Sequence, residues 1–310
     1  MKTIYFDPSL LTSSFCSRQM FYLQIEHLQS WSESISSIYG NAGHRFTRHL
    51  YELEMKPQEA IAQAVDYYQE KTQGMVIPPK EFRTAEHLQL VCLNYVTNYF
   101  PKLFHTFPIK VEKDGKKIVG TELEFSIPYA VNDNYEIVLC GTLDKAYKGP
   151  DGRIVIRDYK FTSQWDSKAY LHKAAHMASL RFYSMMLKKF LDLPYYPPAE
   201  LEGIFLSRLK KQNPKLEDVC RVEASERVEF YDDDMDIFKE HLDRTMARWV
   251  GHLDQGEDKE SWPMDWFQCS GKWGDCTYMD LCRVGKDEGL YAILKEGFVS
   301  DHYNPLKFQN

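Results

Sequence analysis

Gly141-Thr142-Leu143-Asp144-Lys145-Ala146-Tyr147-Lys148-Gly149-Pro150-Asp151-Gly152-Arg153-Ile154-Val155-Ile156-Arg157-Asp158-Tyr159-Lys160 is the stretch on which the fold turns. Two runs with period-two alternation, Tyr135–Lys148 and Arg153–Phe161, flank Gly149-Pro150-Asp151-Gly152 and predict a β-hairpin. In a three-residue loop, Pro150 starts a type I turn and Gly152 takes the left-handed position. Gly149 then faces Arg153 and Asp144 faces Asp158. Lys160 shares their side of the sheet, because side chains alternate. A loop of Asp151-Gly152 alone would slip the register by one and separate the three groups; the proline favours the longer loop. The apolar run Ile154-Val155-Ile156 marks the second strand as central and buried, where charges are least expected.

Two carboxylates opposite one another destabilise a sheet. A divalent cation held between them turns that cost into a binding site, and hard oxygen ligands suit Mg²⁺ or Mn²⁺. Such an ion polarises a phosphoryl oxygen and acidifies a bound water. A neighbouring lysine can orient that water and offset charge on the phosphate. An Asp-x-Lys triplet alone is common on surface strands, so its weight here comes from Asp144. His44, in Gly43-His44-Arg45-Phe46, lies on an amphipathic helix. Alone it reads as a surface histidine; beside the acids it becomes a further ligand, better suited to Mn²⁺ than to Mg²⁺.

Outward from the hairpin, the first hundred residues read as helices: Phe15–Leu28, Asn41–Leu53 after a Gly-Asn break, Pro57 to about Gln73, and Glu81–Phe104. Ile109–Lys113 and Lys117–Pro128 flank the turn Asp114-Gly115. Ser167–Phe190 reads as one helix, on which His172, His176, Ser179 and Tyr183 share a stripe. That stripe faces either the scissile phosphate or the polar edge of the core. Leu201–Leu209 and Arg221–Phe230 read as strands, and Asp232–Leu253 as a helix with acids at its positive end. Glu122 and Glu124 lie on one strand face, and alternation does not say which reaches the acids. The order gives an α+β chain in three segments: a helical region at 1–105, a core at 106–255 and a tail at 256–310.

A hydrophobic share of 44% in 310 residues suffices for a large core. No 18-residue apolar run or secretory signal is present, so a cytoplasmic, membrane-free setting is expected. The net charge of −7 argues against a uniformly phosphate-coated surface. Arg208-Leu209-Lys210-Lys211 and Lys188-Lys189 are either a local basic groove or solvated faces. Among the 7 cysteines, Cys92, Cys140 and Cys220 sit in apolar surroundings and read as core thiols. Cys269, Cys276 and Cys282 cluster in the tail, with Cys16 far upstream. In a reducing compartment such a set binds metal more often than it forms disulfides. Thiolate ligation suits a [4Fe–4S] cluster or tetrahedral zinc alike. Trp262, Trp266 and Trp273 can pack over the set or stack on bases.

These motifs, in this order, resemble the RecB-type exonucleases of the PD-(D/E)XK nuclease superfamily, in their iron–sulfur branch. That branch holds the AddB nuclease domain, CRISPR-associated RecB-like exonucleases and phage relatives. Ser14-Phe15-Cys16-Ser17-Arg18-Gln19-Met20-Phe21-Tyr22 resembles the Cys-Pro-Arg-Lys-Phe-Tyr opening, and Gly43-His44 the helical histidine. Gly141-Thr142-Leu143-Asp144-Lys145 resembles Gly-x-x-Asp-Arg, and Asp158-Tyr159-Lys160-Phe161-Thr162 resembles Asp-Tyr-Lys-Thr. Ser179-Leu180-Arg181-Phe182-Tyr183 keeps the tyrosine of a Gln-x-x-x-Tyr motif and replaces its glutamine. The first gap of the cysteine set is longer than is common in the family.

The resemblance implies a central mixed sheet flanked by helices, a helical N-terminal region and an iron–sulfur tail. It implies catalytic roles for Asp144, Asp158, Lys160 and Tyr183, and Mg²⁺ or Mn²⁺ held at His44, Asp144, Asp158 and Tyr159. It favours [4Fe–4S] over zinc on Cys16, Cys269, Cys276 and Cys282, and suggests substrate contacts at Arg18, Glu124 and Ser179. The implied activity is a metal-dependent DNA exonuclease in end processing. The chain carries no G-x-x-x-x-G-K-[ST], so unwinding would come from a helicase or recombination partner. The alternative is a non-catalytic nucleic-acid-binding or assembly module that keeps the fold, with zinc in place of iron.

Overall fold

The computed structural model describes residues 2–8, 10, 16–30, 33–51, 55–113, 115–131, 135–164, 166–208, 215–255, 259–265, 269–271, 274–284 and 287–300. In chain order they form β1 (Lys2–Phe6), α1 (Ser17–Met20, prolonged by a π turn at Phe21–Ile25), β2 (Leu28–Ser30), α2 (Ile35–Tyr51), α3 (Pro57–Thr72) and α4 (Ala85–Asn94). β3 (Lys110–Lys113), β4 (Lys116–Val119), β5 (Thr121–Val131), β6 (Tyr135–Lys148) and β7 (Ile154–Thr162) follow. Next come α5 (Ser167–His172), α6 (Ala178–Phe190), β8 (Ala199–Leu206), β9 (Cys220–Ala224) and α7 (Asp232–Gln255). The tail adds the short strands β10 (Ser270–Gly271) and β11 (Gly274–Asp275), then α8 (Met279–Arg283), α9 (Glu288–Lys295) and β12 (Phe298–Ser300).

The hairpin closes as a three-residue loop. Gly149 donates its N–H to the Arg153 carbonyl at 2.8 Å, and Gly152 sits at φ +81°, where a β-carbon is disfavoured. β6 and β7 pair antiparallel from Lys148↔Ile154 to Lys145↔Arg157, the register that the loop reading gives. β7 runs parallel to β8 with Lys160↔Gly203, and β8 antiparallel to β9, so the sheet is mixed.

By its contacts the chain forms two compact units. One comprises Met1–Ser32, Phe125–Gly141 and Asp232–Asn310; the other comprises Glu33–Glu124 and Thr142–Tyr231. The strands β5 and β6 each give one part to either unit.

In the second unit, α2, α3 and α4 pack a core of Ile38, Tyr39, Phe46, Leu50, Ala64 and Leu88 with Tyr159 and Ile204 of the sheet. α2 begins at Ile35, ahead of the Gly-Asn pair read as a break. Gly43 serves close packing rather than termination: a β-carbon there would come within 2.3 Å of the Phe161 ring. That close approach seats α2, and with it His44, against β7. The long helix expected over Ser167–Phe190 is broken. A 3₁₀ turn at Lys173–His176 and an extended Met177 (φ −73°, ψ 118°) separate α5 from α6. His172 and His176 therefore do not share a continuous stripe with Ser179 and Tyr183. Glu81–Phe104 is likewise shortened. Thr84 caps α4 by accepting the His87 N–H, and the helix gives way to a π turn at Tyr95–Tyr99 and a 3₁₀ turn at Phe100–Thr106.

In the first unit, β1 pairs in parallel with Tyr135–Leu139 of β6, a strand absent from the sequence reading. The Phe15–Leu28 helix is much shorter than expected. It loosens into the π turn and ends at His27, which has a positive φ of 55°. β2 and β12 pair antiparallel, Leu28↔Ser300 to Ser30↔Phe298, which joins the two ends of the chain. Trp262, 1% exposed, packs against Phe21 and Trp249. Tyr278 stacks on Phe298 with centroids 5.4 Å apart. Trp266 and Trp273, the turn residue Asp114, Ser14 and Phe15 of the opening motif, and residues 209–211 of the basic run lie outside the described residues. No helix among the described residues is long and apolar enough to cross a membrane.

Candidate active site

Three acids or bases from three elements of the second unit meet. His44 Nδ1 of α2 lies 3.4 Å from Asp144 Oδ1 of β6 and 3.6 Å from Glu122 Oε1 of β5. One ligand atom from each falls within 4.8 Å of the others, a spacing that one metal ion can bridge. Glu122 reaches this point because its backbone leaves the strand conformation at φ +46°. That is the left-handed region, strained for a residue with a β-carbon. Glu124, two residues on, is exposed. The choice between the two glutamates, which alternation leaves open, falls on Glu122.

The β6–β7 ladder stops one residue short of Asp144. There Asp144 Oδ2 takes over from the backbone and accepts the Tyr159 N–H at 2.6 Å. The strands are thus pinned by the acid itself. Asp158, 2% exposed, points to the same face by alternation, and Lys160 Nζ lies 2.7 Å from its Oδ2. Only the N–H of Tyr159 meets the acid. Its side chain is on the opposite face, fully buried.

That opposite face carries a second charged layer which fixes the strands from behind. Arg157, beside Asp158, is held by Glu202 at 2.9 Å and Glu200 at 2.5 Å. Tyr147 donates to Glu200 at 2.8 Å, and Tyr95 to Glu202 at 3.2 Å. Lys145, beside Asp144, is fully buried; it donates to Thr106 Oγ1 at 3.2 Å and lies 3.7 Å from the centre of the Tyr51 ring. Burial pushes the Lys145 amine well below the ordinary lysine range, and Arg157 adds to that.

Electrostatically the site is overfull of acid. Burial, then the like charge of Glu122, raises the Asp144 carboxyl against the pull of His44 and Lys160. Burial and Asp144 raise Asp158 against Lys160. Burial opposes a charged His44, but Asp144 and Glu122 outweigh it and push the imidazole up to about 9. Lys160 is raised in the same way by Asp158 and Asp144. Asp158 Oδ2 is buried against the Lys160 ammonium, and Glu122 Oε1 is buried 3.6 Å from His44 Nδ1. Crowded, buried carboxylates and an imidazole are the donor set that a small divalent cation satisfies.

Two further sequence-derived residues, Ser179 and Tyr183, are half-buried on α6, beyond the Met177 break. The sequence reading missed Tyr170. This half-buried phenol of α5 packs edge-on against Phe205 with centroids 5.8 Å apart, within electrostatic reach of Lys160 and Asp158. The stripe drawn on an unbroken helix passed it by.

In the first unit the four separated cysteines converge. All are free thiols, and Cys269, Cys276 and Cys282 each interact with Cys16. Arg18 is 6% exposed and donates from Nε to the Trp262 carbonyl at 2.6 Å. Its cation lies close enough to act on Cys282. Cys92, Cys140 and Cys220 are buried core thiols whose ionisation burial disfavours.

No curated protein matches the chain. A solved structure titled "Crystal structure of SSO0001" is similar at 12% identity over 74% of this chain and 84% of that one, with a TM-score of 0.22. A family model described as the PD-(D/E)XK nuclease superfamily matches residues 9–283, from before Cys16 to just past Cys282 and across every residue of the acid–lysine site. With nearly the whole chain inside that match, the protein belongs to the PD-(D/E)XK nuclease superfamily.

Proposed function

We propose that the protein is a Mg²⁺- or Mn²⁺-dependent deoxyribonuclease that degrades DNA from its ends. The observation that carries this reading is the convergence of His44, Glu122 and Asp144 beside the Asp158–Lys160 pair, on strands locked in register from behind. A divalent ion bound there supplies Lewis-acid charge at the scissile phosphate and acidifies water. The chain's own groups do the rest. Asp144 and Asp158 provide the carboxylates, and His44 a nitrogen once it has lost its proton. Lys160, freed from Asp158 when that carboxylate takes another partner, turns its ammonium to the attacking water and to charge developing on phosphate oxygens. Tyr183 and Ser179 are assigned to the substrate side of the reaction. Binding rests on phosphates, with little base reading. The end-directed mode rests on the order of the RecB-type motifs. A helicase or recombination partner would open duplex ends.

Cys16, Cys269, Cys276 and Cys282 are assigned a [4Fe–4S] cluster that fastens the two chain ends. The choice of a cluster over zinc rests on the resemblance carried by the cysteine set and its opening motif; Cys16 interacts with each of the other three. The test is anaerobic purification, then elemental and sulfide analysis. End-labelled linear and covalently closed circular DNA are then offered with Mg²⁺, Mn²⁺ or chelator. Metal-dependent loss of linear DNA alone is expected; cleavage of the circle would overturn the end-directed mode, and no cleavage of either would overturn the nuclease.

A further inference from the structure

The Tyr22 side chain is fully buried, yet its hydroxyl makes no hydrogen bond of regular geometry. A buried O–H without an acceptor is costly and calls for an explanation. The ring is fixed by Tyr278 at 5.2 Å, Phe21 at 5.5 Å and Tyr291 at 6.4 Å between centroids. The groups its hydroxyl meets are the Cys282 sulfur and the Arg18 cation. A neutral thiol is a poor acceptor, whereas a thiolate is a strong one.

The four sulfurs differ in what surrounds them. Cys276 receives the backbone N–H of Tyr278. Cys282 has Tyr22 and Arg18. Cys269 donates its S–H to the Asp265 carbonyl at 3.6 Å, with the Arg283 cation within electrostatic reach. That hydrogen bond is lost when Cys269 binds metal.

We infer that Tyr22 is a positioning residue of the cysteine centre: its hydroxyl donates a hydrogen bond to the metal-bound Cys282 sulfur, backed by Arg18, and so slows loss of the metal. The inference rests on the metal-clasp reading. It names Cys282 as the tightly held corner and Cys269 as the corner that opens first.

The test compares Tyr22→Phe with Tyr278→Phe in the metal-loaded full chain. Tyr278 is a matched control, because its hydroxyl donates at 2.7 Å to the Leu28 carbonyl and not to sulfur. Metal release to excess 4-(2-pyridylazo)resorcinol is followed, with thermal unfolding of the metal-free forms. Tyr22→Phe is expected to speed release about tenfold, in the usual range for a group that supports a ligand. It should not lower the metal-free unfolding temperature, since no formed hydrogen bond is removed. Tyr278→Phe should lower the metal-free unfolding temperature and leave release within about twofold. Release from Tyr22→Phe at the wild-type rate overturns the inference, as does equal acceleration by both variants, which would mark a packing effect. Wild-type protein that holds no metal after anaerobic reconstitution overturns the clasp reading itself.

Discussion

The acid–lysine site and the cysteine set are both crowds of groups that repel or orphan one another, but they are assembled by opposite means. Asp144 and Asp158 face each other because one hairpin puts them there, and Asp144 even replaces a rung of the ladder by taking the Tyr159 N–H. Arg157, Glu200, Glu202 and Lys145 hold the same strands from the other face. Cys16 meets Cys269, Cys276 and Cys282 across almost the whole chain, helped by the β2–β12 pair and the aromatic stack. Locally only Cys269 and Cys276 are set together, by the β10–β11 hairpin, where Cys276 donates its N–H to the Cys269 carbonyl at 2.8 Å. Removing a ligand should therefore cost chemistry in the first case and folding in the second.

The largest effect should come from Asp158→Ala and Lys160→Ala, each lowering cleavage by about 10³-fold. Iron or zinc content should stay at the wild-type level. The two variants should differ in stability. Lys160→Ala leaves Asp158 buried without its cation, while Asp158→Ala relieves a crowded acid. Unfolding temperatures and single-turnover rates, measured side by side, check this. Cleavage near the wild-type rate in either variant would break the comparison.

Cys16→Ala comes second. Metal bound only by the native state is folding free energy, so its loss should lower the unfolding temperature by about 10 °C and empty the site. Cys92→Ala, at a buried core thiol, should keep full metal content. A Cys16 variant with unchanged metal content would remove the clasp.

A third change bears on how the first site is framed. Gly43→Ala puts a methyl group where the Phe161 ring lies, 2.3 Å from its nearest carbon. Either the ring or α2 must move, at a cost of about 1–3 kcal/mol. Because His44 is the next residue, affinity for Mn²⁺ should fall together with stability. Loss of stability with Mn²⁺ affinity intact would show that His44 is placed independently of the α2–β7 contact.

What was legible in the sequence follows the same division. The hairpin, its register and the shared face of Asp144, Asp158 and Lys160 are local, and a proline and a glycine specify them. β1 was missed because its partner lies far away at Tyr135–Leu139, and parallel pairing leaves no turn to read. Glu122 could not be separated from Glu124, because strand periodicity assumes a regular backbone and Glu122 departs from it. The break at Met177 carries neither proline nor glycine, so apolar spacing ran straight through it. Arg18 was read as a substrate contact from the resemblance alone, which says nothing of what buries it. Its burial depends on Trp262, far along the chain.

The smallest expected effect concerns protons, and it separates the site's metal-free and metal-bound states. His44 meets Asp144 from β6, Glu122 from β5 and the opposing cation Lys160 from β7; the acids prevail and lift it to about 9, against about 6.5 in an unfolded chain. For a base whose folded pKa is raised, the stability gained is fully present below about 6.5 and lost as pH rises through about 9. Asp144 and Asp158, raised by burial, act in the same direction lower down, because the folded state favours their protonated forms. The metal-free protein should therefore lose stability steadily as pH climbs to about 9. Metal affinity should do the reverse, since a proton on His44 competes with the ion for the ring nitrogen. Thermal unfolding in chelator and Mn²⁺ titrations between pH 6 and 9.5 measure the two trends. His44→Asn should flatten the upper part of both. If the His44→Asn curves run parallel to wild type in that range, the imidazole is not the group that couples protons to this site.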